Sequence, residues 1–181
     1  MNSSPSDDQS ESTAKEEAVE EQQDKNQELF PIVGIGASAG GLEAFSQLLA
    51  HLPTDTGMGF VLIQHLSPDH KSQLSEILAR RTQMPVIEVQ DSMMVEPNHI
   101  YIIPPNSKMT LAKNLLRLTP REKIQGKDMS VDAFFNSLAR ERGSKAIAVV
   151  LSGADGDGAL GLKQLRWLAG LPLLNVQDQH K

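Results

Sequence analysis

Ile32-Val33-Gly34-Ile35-Gly36-Ala37-Ser38-Ala39-Gly40-Gly41 is the stretch on which the reading of this chain turns. A β-branched, apolar run leads into a glycine-rich turn carrying one serine, and an amphipathic segment, Leu42 to Leu52, leads out. That pattern predicts strand, turn and helix. It sets Ser38 at the carboxyl end of a buried strand and at the amino end of a helix. Residues 36–40 read G-x-S-x-G, a nucleophile elbow, and the context that motif requires is present. Reversing a strand into a helix within a few residues calls for positive φ, which glycine adopts cheaply. Ala37 and Ala39 leave the hydroxyl uncovered, and amides at the helix start, near Ala39 and Gly40, can stabilise an oxyanion. The same turn has a second reading as a nucleotide-binding module. Glycine-rich strand-to-helix turns also cradle phosphates, although Gly34-x-Gly36-x-x-x-Gly40 is one residue longer than the dinucleotide fingerprint.

Outward from this turn, apolar runs alternate with helical patterns. Gly59 to Ile63 reads as a strand ending at Gln64-His65, and a helix comes next over about Lys71 to Arg81. Short strands are expected at Val86–Val89 and Ile100–Ile103, and a hairpin at Met109–Leu111 and Leu115–Leu118. Ser130 to Arg142 reads as a helix burying Val131, Phe134, Phe135 and Leu138. Ala146 to Leu151 is the third strong strand, succeeded by a glycine-rich loop, a last helix at Ala159–Leu168 and a final strand from Leu173. The fold class is therefore α/β: a doubly wound, mostly parallel sheet with helices on both faces and an antiparallel hairpin. Met93-Met94 is expected in core or edge packing.

Charge divides the chain. Residues 1–28 hold nine acids and two lysines, leaving 14 acids and 15 bases in the remainder of a 181-residue chain of net charge −6. Residues 1–28 are expected to be a disordered acidic tail, and residues 29–181 the folded domain. The near-neutral remainder lacks the basic footprint of a nucleic-acid-binding protein. No apolar run is long enough to cross a membrane, and the acidic, polar first residues lead to the expectation of no signal peptide. Cysteine is absent, which removes disulfides and thiol chemistry. A cytoplasmic location is the resulting expectation.

In a parallel sheet, ligands bind outside the carboxyl ends of the strands. Three such ends deliver Ser38, His65 and the pair Asp155 and Asp157. A hydroxyl, an imidazole and a carboxylate at one rim are what acyl transfer by serine needs. The chain order Ser, His, Asp differs from the Ser, Asp/Glu, His order of the α/β-hydrolases. The Asp155–Gly158 segment also fits a plain turn, and fails as a calcium loop because no suitably placed glutamate comes after it.

With these residues in hand, the chain resembles the methylesterase domain of the bacterial chemotaxis protein-glutamate methylesterases (CheB type). The resemblance covers about Pro31 to Asp178. It rests on Gly36-Ala37-Ser38-Ala39-Gly40-Gly41, Gln64-His65, Pro104-Pro105, Ser130-Val131-Asp132 and Leu151 to Ala159. It implies a catalytic triad of Ser38, His65 and Asp157, with Asp155 standing where the family usually has glycine and Ala154 where it commonly has methionine. It implies a serine esterase that hydrolyses glutamyl methyl esters on methyl-accepting chemotaxis receptors, with deamidation of receptor glutamines in some members. No cofactor or metal is implied. The layout is more like proteins in which a receptor methyltransferase domain comes second than those with a preceding receiver domain. The family sequence continues past Gln177-Asp178, so an incomplete methylesterase domain is expected here. An inactive receptor-interaction module is the other alternative.

Overall fold

The computed structural model describes residues 29–37, 40–64, 74–121, 123–124, 127–152, 157–158 and 161–163. Its centre is a five-stranded sheet, parallel throughout, built from β1 (Ile32–Ala37), β2 (Gly59–Gln64), β3 (Val86–Glu88), β5 (Ile100–Ile102) and β10 (Ala146–Ser152). Their order across the sheet is β10-β1-β2-β5-β3. The chain winds from β1 towards β3, then returns to place β10 on the other side of β1. The winding therefore reverses between β1 and β10, where open α/β sheets form their binding crevice.

Alternation along β1 explains both layers. Val33, Ile35 and Ala37 pack with Phe45 and Leu49 of α1 (Gly41–His51) and with Leu74 and Leu78 of α2 (Leu74–Ala79). The opposite face carries Ile32, Gly34 and Gly36, and there α3 (Ser130–Arg142) lies against the sheet. A Cβ on Gly36 would sit 2.5 Å from Val131 Cγ1, and one on Gly34 would sit 3.0–3.1 Å from Phe135, Leu138 and Phe134. These glycines let a helix with large side chains approach the strand closely. Val131 lies opposite the carboxyl end of β1 and Leu138 nearer its start, so α3 runs antiparallel to the strands.

The expected hairpin, β6 (Ser107–Ala112) and β7 (Leu115–Pro120), is antiparallel and stands apart from the main sheet. With β4 (Met93–Met94) it forms a separate three-stranded sheet, order β4-β7-β6, packed on α3. Met109, Leu111 and Leu116 of this sheet share one buried cluster with Val131, Phe134 and Phe135. Met93-Met94 is thus an edge strand. A two-stranded ribbon, β8 (Lys123–Ile124) and β9 (Lys127–Asp128), precedes α3. The acidic segment 1–28, residues 71–73 of the expected second helix, most of the helix from Ala159 and the strand expected from Leu173 lie outside the described residues. No helix among the described residues is long and apolar enough to cross a membrane.

Candidate active site

Strand register brings the ends of β1, β2 and β10 to one rim. Ala37, the last residue of β1, is paired with Gln64, the last of β2, and with Ser152, the last of β10. Adjacent strands lie about 4.8 Å apart, so the last residues of the three strands, Ala37, Gln64 and Ser152, end side by side at one level. The β1–β10 register shifts between Gly36 and Ala37. Such irregularities bend a strand end and re-aim the residues just beyond it. Ser38, His65 and Asp155 themselves lie outside the described residues.

Both flanks of Ser38 are strand and helix as the motif requires. β1 ends at Ala37, α1 begins at Gly41, and only residues 38–40 connect them. Gly40 takes φ +83°, the left-handed conformation, and its carbonyl accepts the Ala44 amide at 3.2 Å. A Cβ on Gly41 would come within 2.9 Å of Ala37 Cβ and 3.0 Å of the Gln64 side-chain amide. The first residue of α1 is therefore pressed against the ends of β1 and β2. The buried Gln64 Oε1 has no hydrogen-bond partner among the described residues.

Asp157, the expected orienting carboxylate, is among the described residues and is 8% exposed. Its Oδ2 accepts the Val131 amide at 2.9 Å, and its Oδ1 accepts the Asp132 and Gly158 amides, each at 2.9 Å. Val131 and Asp132 belong to the first turn of α3, whose preceding residue, Met129, supplies no side-chain cap. A helix start leaves amides without intrahelical partners and carries partial positive charge. Asp157 thus caps α3 from 25 and 26 residues away and is itself locked in orientation. Asp132, 3% exposed, accepts the Gly161 amide at 2.6 Å through Oδ1. Sequence reasoning gave Asp132 no role; its signal was an acid in the first turn of a helix beside the site.

The phosphate-cradle reading loses its first two glycines here, because Gly34 and Gly36 are covered by α3. Among the described residues, no group of three or more His, Cys, Asp or Glu is placed to hold a metal ion. The remaining described histidines are remote in character: His51 Nδ1 lies 2.9 Å from the Gln47 carbonyl and His99 Nδ1 2.9 Å from the Pro97 carbonyl.

Comparison with known proteins agrees with this architecture. The CheB methylesterase family matches residues 33–181. A Pseudomonas aeruginosa protein-glutamate methylesterase/protein-glutamine glutaminase 2 is 34% identical over 152 residues, 82% of this chain and 43% of that protein. A Leptospira interrogans homologue is 29% identical over 150 residues, 82% of this chain and 77% of that protein. The Thermotoga maritima CheB methylesterase catalytic domain superposes with a TM-score of 0.72 at 27% identity, covering 78% of this chain and 77% of that one. The chain belongs to the CheB methylesterase family, and spans less than half the length of the Pseudomonas relative.

Proposed function

We propose that this member of the family is a cytoplasmic serine esterase that hydrolyses glutamyl methyl esters on chemotaxis receptors, in adaptation of chemotaxis signalling. The observation that carries the reading is the rim itself: three level strand ends, with Asp157 buried and held rigid beside them. Ser38 attacks the ester carbonyl while His65 accepts the hydroxyl proton. The tetrahedral oxyanion is stabilised by amides near Ala39 and Gly40, at the positive end of α1. His65 then protonates the departing methanol, and water, activated by His65, releases the glutamate and regenerates Ser38.

Asp157 orients His65 and stabilises its charged form. A carboxylate accepts about four hydrogen bonds, and the mechanism asks that one come from the His65 ring beside the three amides. The same steps with ammonia as leaving group would deamidate a receptor glutamine. Substrate is then a receptor helix bearing methylated glutamates, and a receptor methyltransferase domain is the natural functional partner. The test is methanol release from a methylated receptor. Stoichiometric release, abolished by Ser38→Ala in a folded protein, is expected; binding of receptor without methanol release would favour an interaction module.

A further inference from the structure

We propose that Asp132 is a positioning residue for this reaction, acting through Asp157; the inference rests on the catalytic role given to Asp157 above. Two helical starts meet at the rim. One is α3; the other is the turn beginning at Gly158, whose carbonyl accepts the Leu162 amide at 3.0 Å. Amides at a helical start lack intrahelical partners. Each start receives a carboxylate from the other's segment. Asp157, just before the second start, accepts Val131 and Asp132 amides at the first. Asp132, in the first turn of the first, accepts the Gly161 amide of the second at 2.6 Å. The two bonds between Asp132 and the 157–161 turn run in opposite directions: the Asp132 amide donates to Asp157 and the Asp132 carboxylate accepts from Gly161.

This clasp leaves little slack. A Cβ on Gly161 would lie 2.6 Å from Phe135 Cβ and 3.2 Å from Asp132 Oδ1. Gly158, at φ +90°, would place a Cβ 2.9 Å from Val131 Cγ1. Both carboxylates are buried, Asp132 at 3% and Asp157 at 8% exposure, so water replaces neither bond readily. Cutting the Asp132–Gly161 bond removes one of the ties that hold the segment carrying Asp157 against the first turn of α3. A small misplacement of an orienting group lowers the rate of the chemical step and leaves substrate binding alone.

The test uses the full chain, methylated receptor and methanol release, with wild type, Asp132→Ala, Asp157→Asn and the double variant. Asp132→Ala is expected to lower kcat about 10- to 100-fold with KM unchanged, and to speed hydrogen exchange at the Gly161 amide. The double variant is expected to be no slower than Asp157→Asn alone, because Asp132 acts only through Asp157. Losses that multiply in the double variant, or a wild-type kcat in Asp132→Ala, would overturn the proposal while Asp157→Asn remains inactive and the catalytic reading stands. A wild-type kcat in Asp157→Asn would sink both. If Asp132→Ala does not fold, Asp132→Asn keeps an acceptor for Gly161 and should stay within about tenfold of wild-type kcat. Inactivity of a folded Asp132→Asn with Gly161 still protected would also contradict the proposal.

Discussion

The two ends of α3 use charge differently. At its amino end, the buried carboxylates of Asp157 and Asp132 exchange bonds with backbone amides beside the strand ends that carry the proposed chemistry. At its carboxyl end, the charge is the buried guanidinium of Arg142, 5% exposed, placed over the Phe30 ring at 5.1 Å and donating to Asn114 Oδ1. Burial pushes the Arg142 pKa below its ordinary value, and the neighbouring Glu141 partly offsets this. Glu141 accepts the Lys113 amide at 2.8 Å, so this end ties the helix to the β6–β7 turn. One helix thus joins a site to a scaffold, and the two ends should respond to mutation differently: in rate at one, in stability at the other.

The largest effect is expected at the amino end. Asp157→Asn should lower kcat by about 10⁴, through the wrong histidine tautomer. It should also lower stability by about 1–3 kcal/mol, because an amide NH₂ then faces a backbone donor. Methanol release together with denaturant unfolding reads both; loss of rate with no loss of stability would mean that Asp157 does not cap α3. Next comes the close approach at β1. Gly36→Val should cost about 3 kcal/mol by overpacking against Val131, measured by chemical unfolding. An unchanged midpoint would show that α3 can retreat from the strand.

Arg142→Ala should cost less, about 1–2 kcal/mol from the lost ring contact and the hydrogen bond to Asn114, and should leave kcat of the folded protein unchanged. A kcat loss there would break the division between the two ends. The smallest effect belongs to the outer sheet. Asp91 is exposed, and its pKa is lowered first by the Leu118 amide, then by the Ser92 hydroxyl. A depressed carboxylate stabilises the fold above its unfolded pKa of about 3.9 and loses that contribution as pH falls through its folded value. Wild type should therefore lose slightly more stability on acidification than Asp91→Asn, and parallel acid titrations would contradict this.

Much of this architecture was legible locally. The strand–turn–helix around Ser38 is dictated by residues within one short window, and β1, β2, β10 and α3 announce themselves by apolar runs and a helical stripe. The part that was not legible depends on which surfaces meet. Gly34 and Gly36 look alike whether they cradle a phosphate or admit a helix, and only the arrival of Val131 and Phe135 separates the two. The hairpin's strands were readable, but its packing on α3 comes from contacts between distant residues, such as the Leu111 amide donating to the Ser137 hydroxyl. Strands of two residues, β4, β8 and β9, are too short to leave a periodicity. The acid at 157 was marked out by motif, whereas its grip on α3 spans 25 residues and exists only in the fold.

The central claim is that Ser38 is the nucleophile of an esterase built on this rim. Methanol released from a methylated chemotaxis receptor by wild type and by Ser38→Ala, both shown folded by matching circular dichroism, tests it most directly. Wild type should turn over repeatedly, and Ser38→Ala should retain only a residual rate about 10⁴ or more below it. Methanol release by folded Ser38→Ala at the wild-type rate would contradict the account.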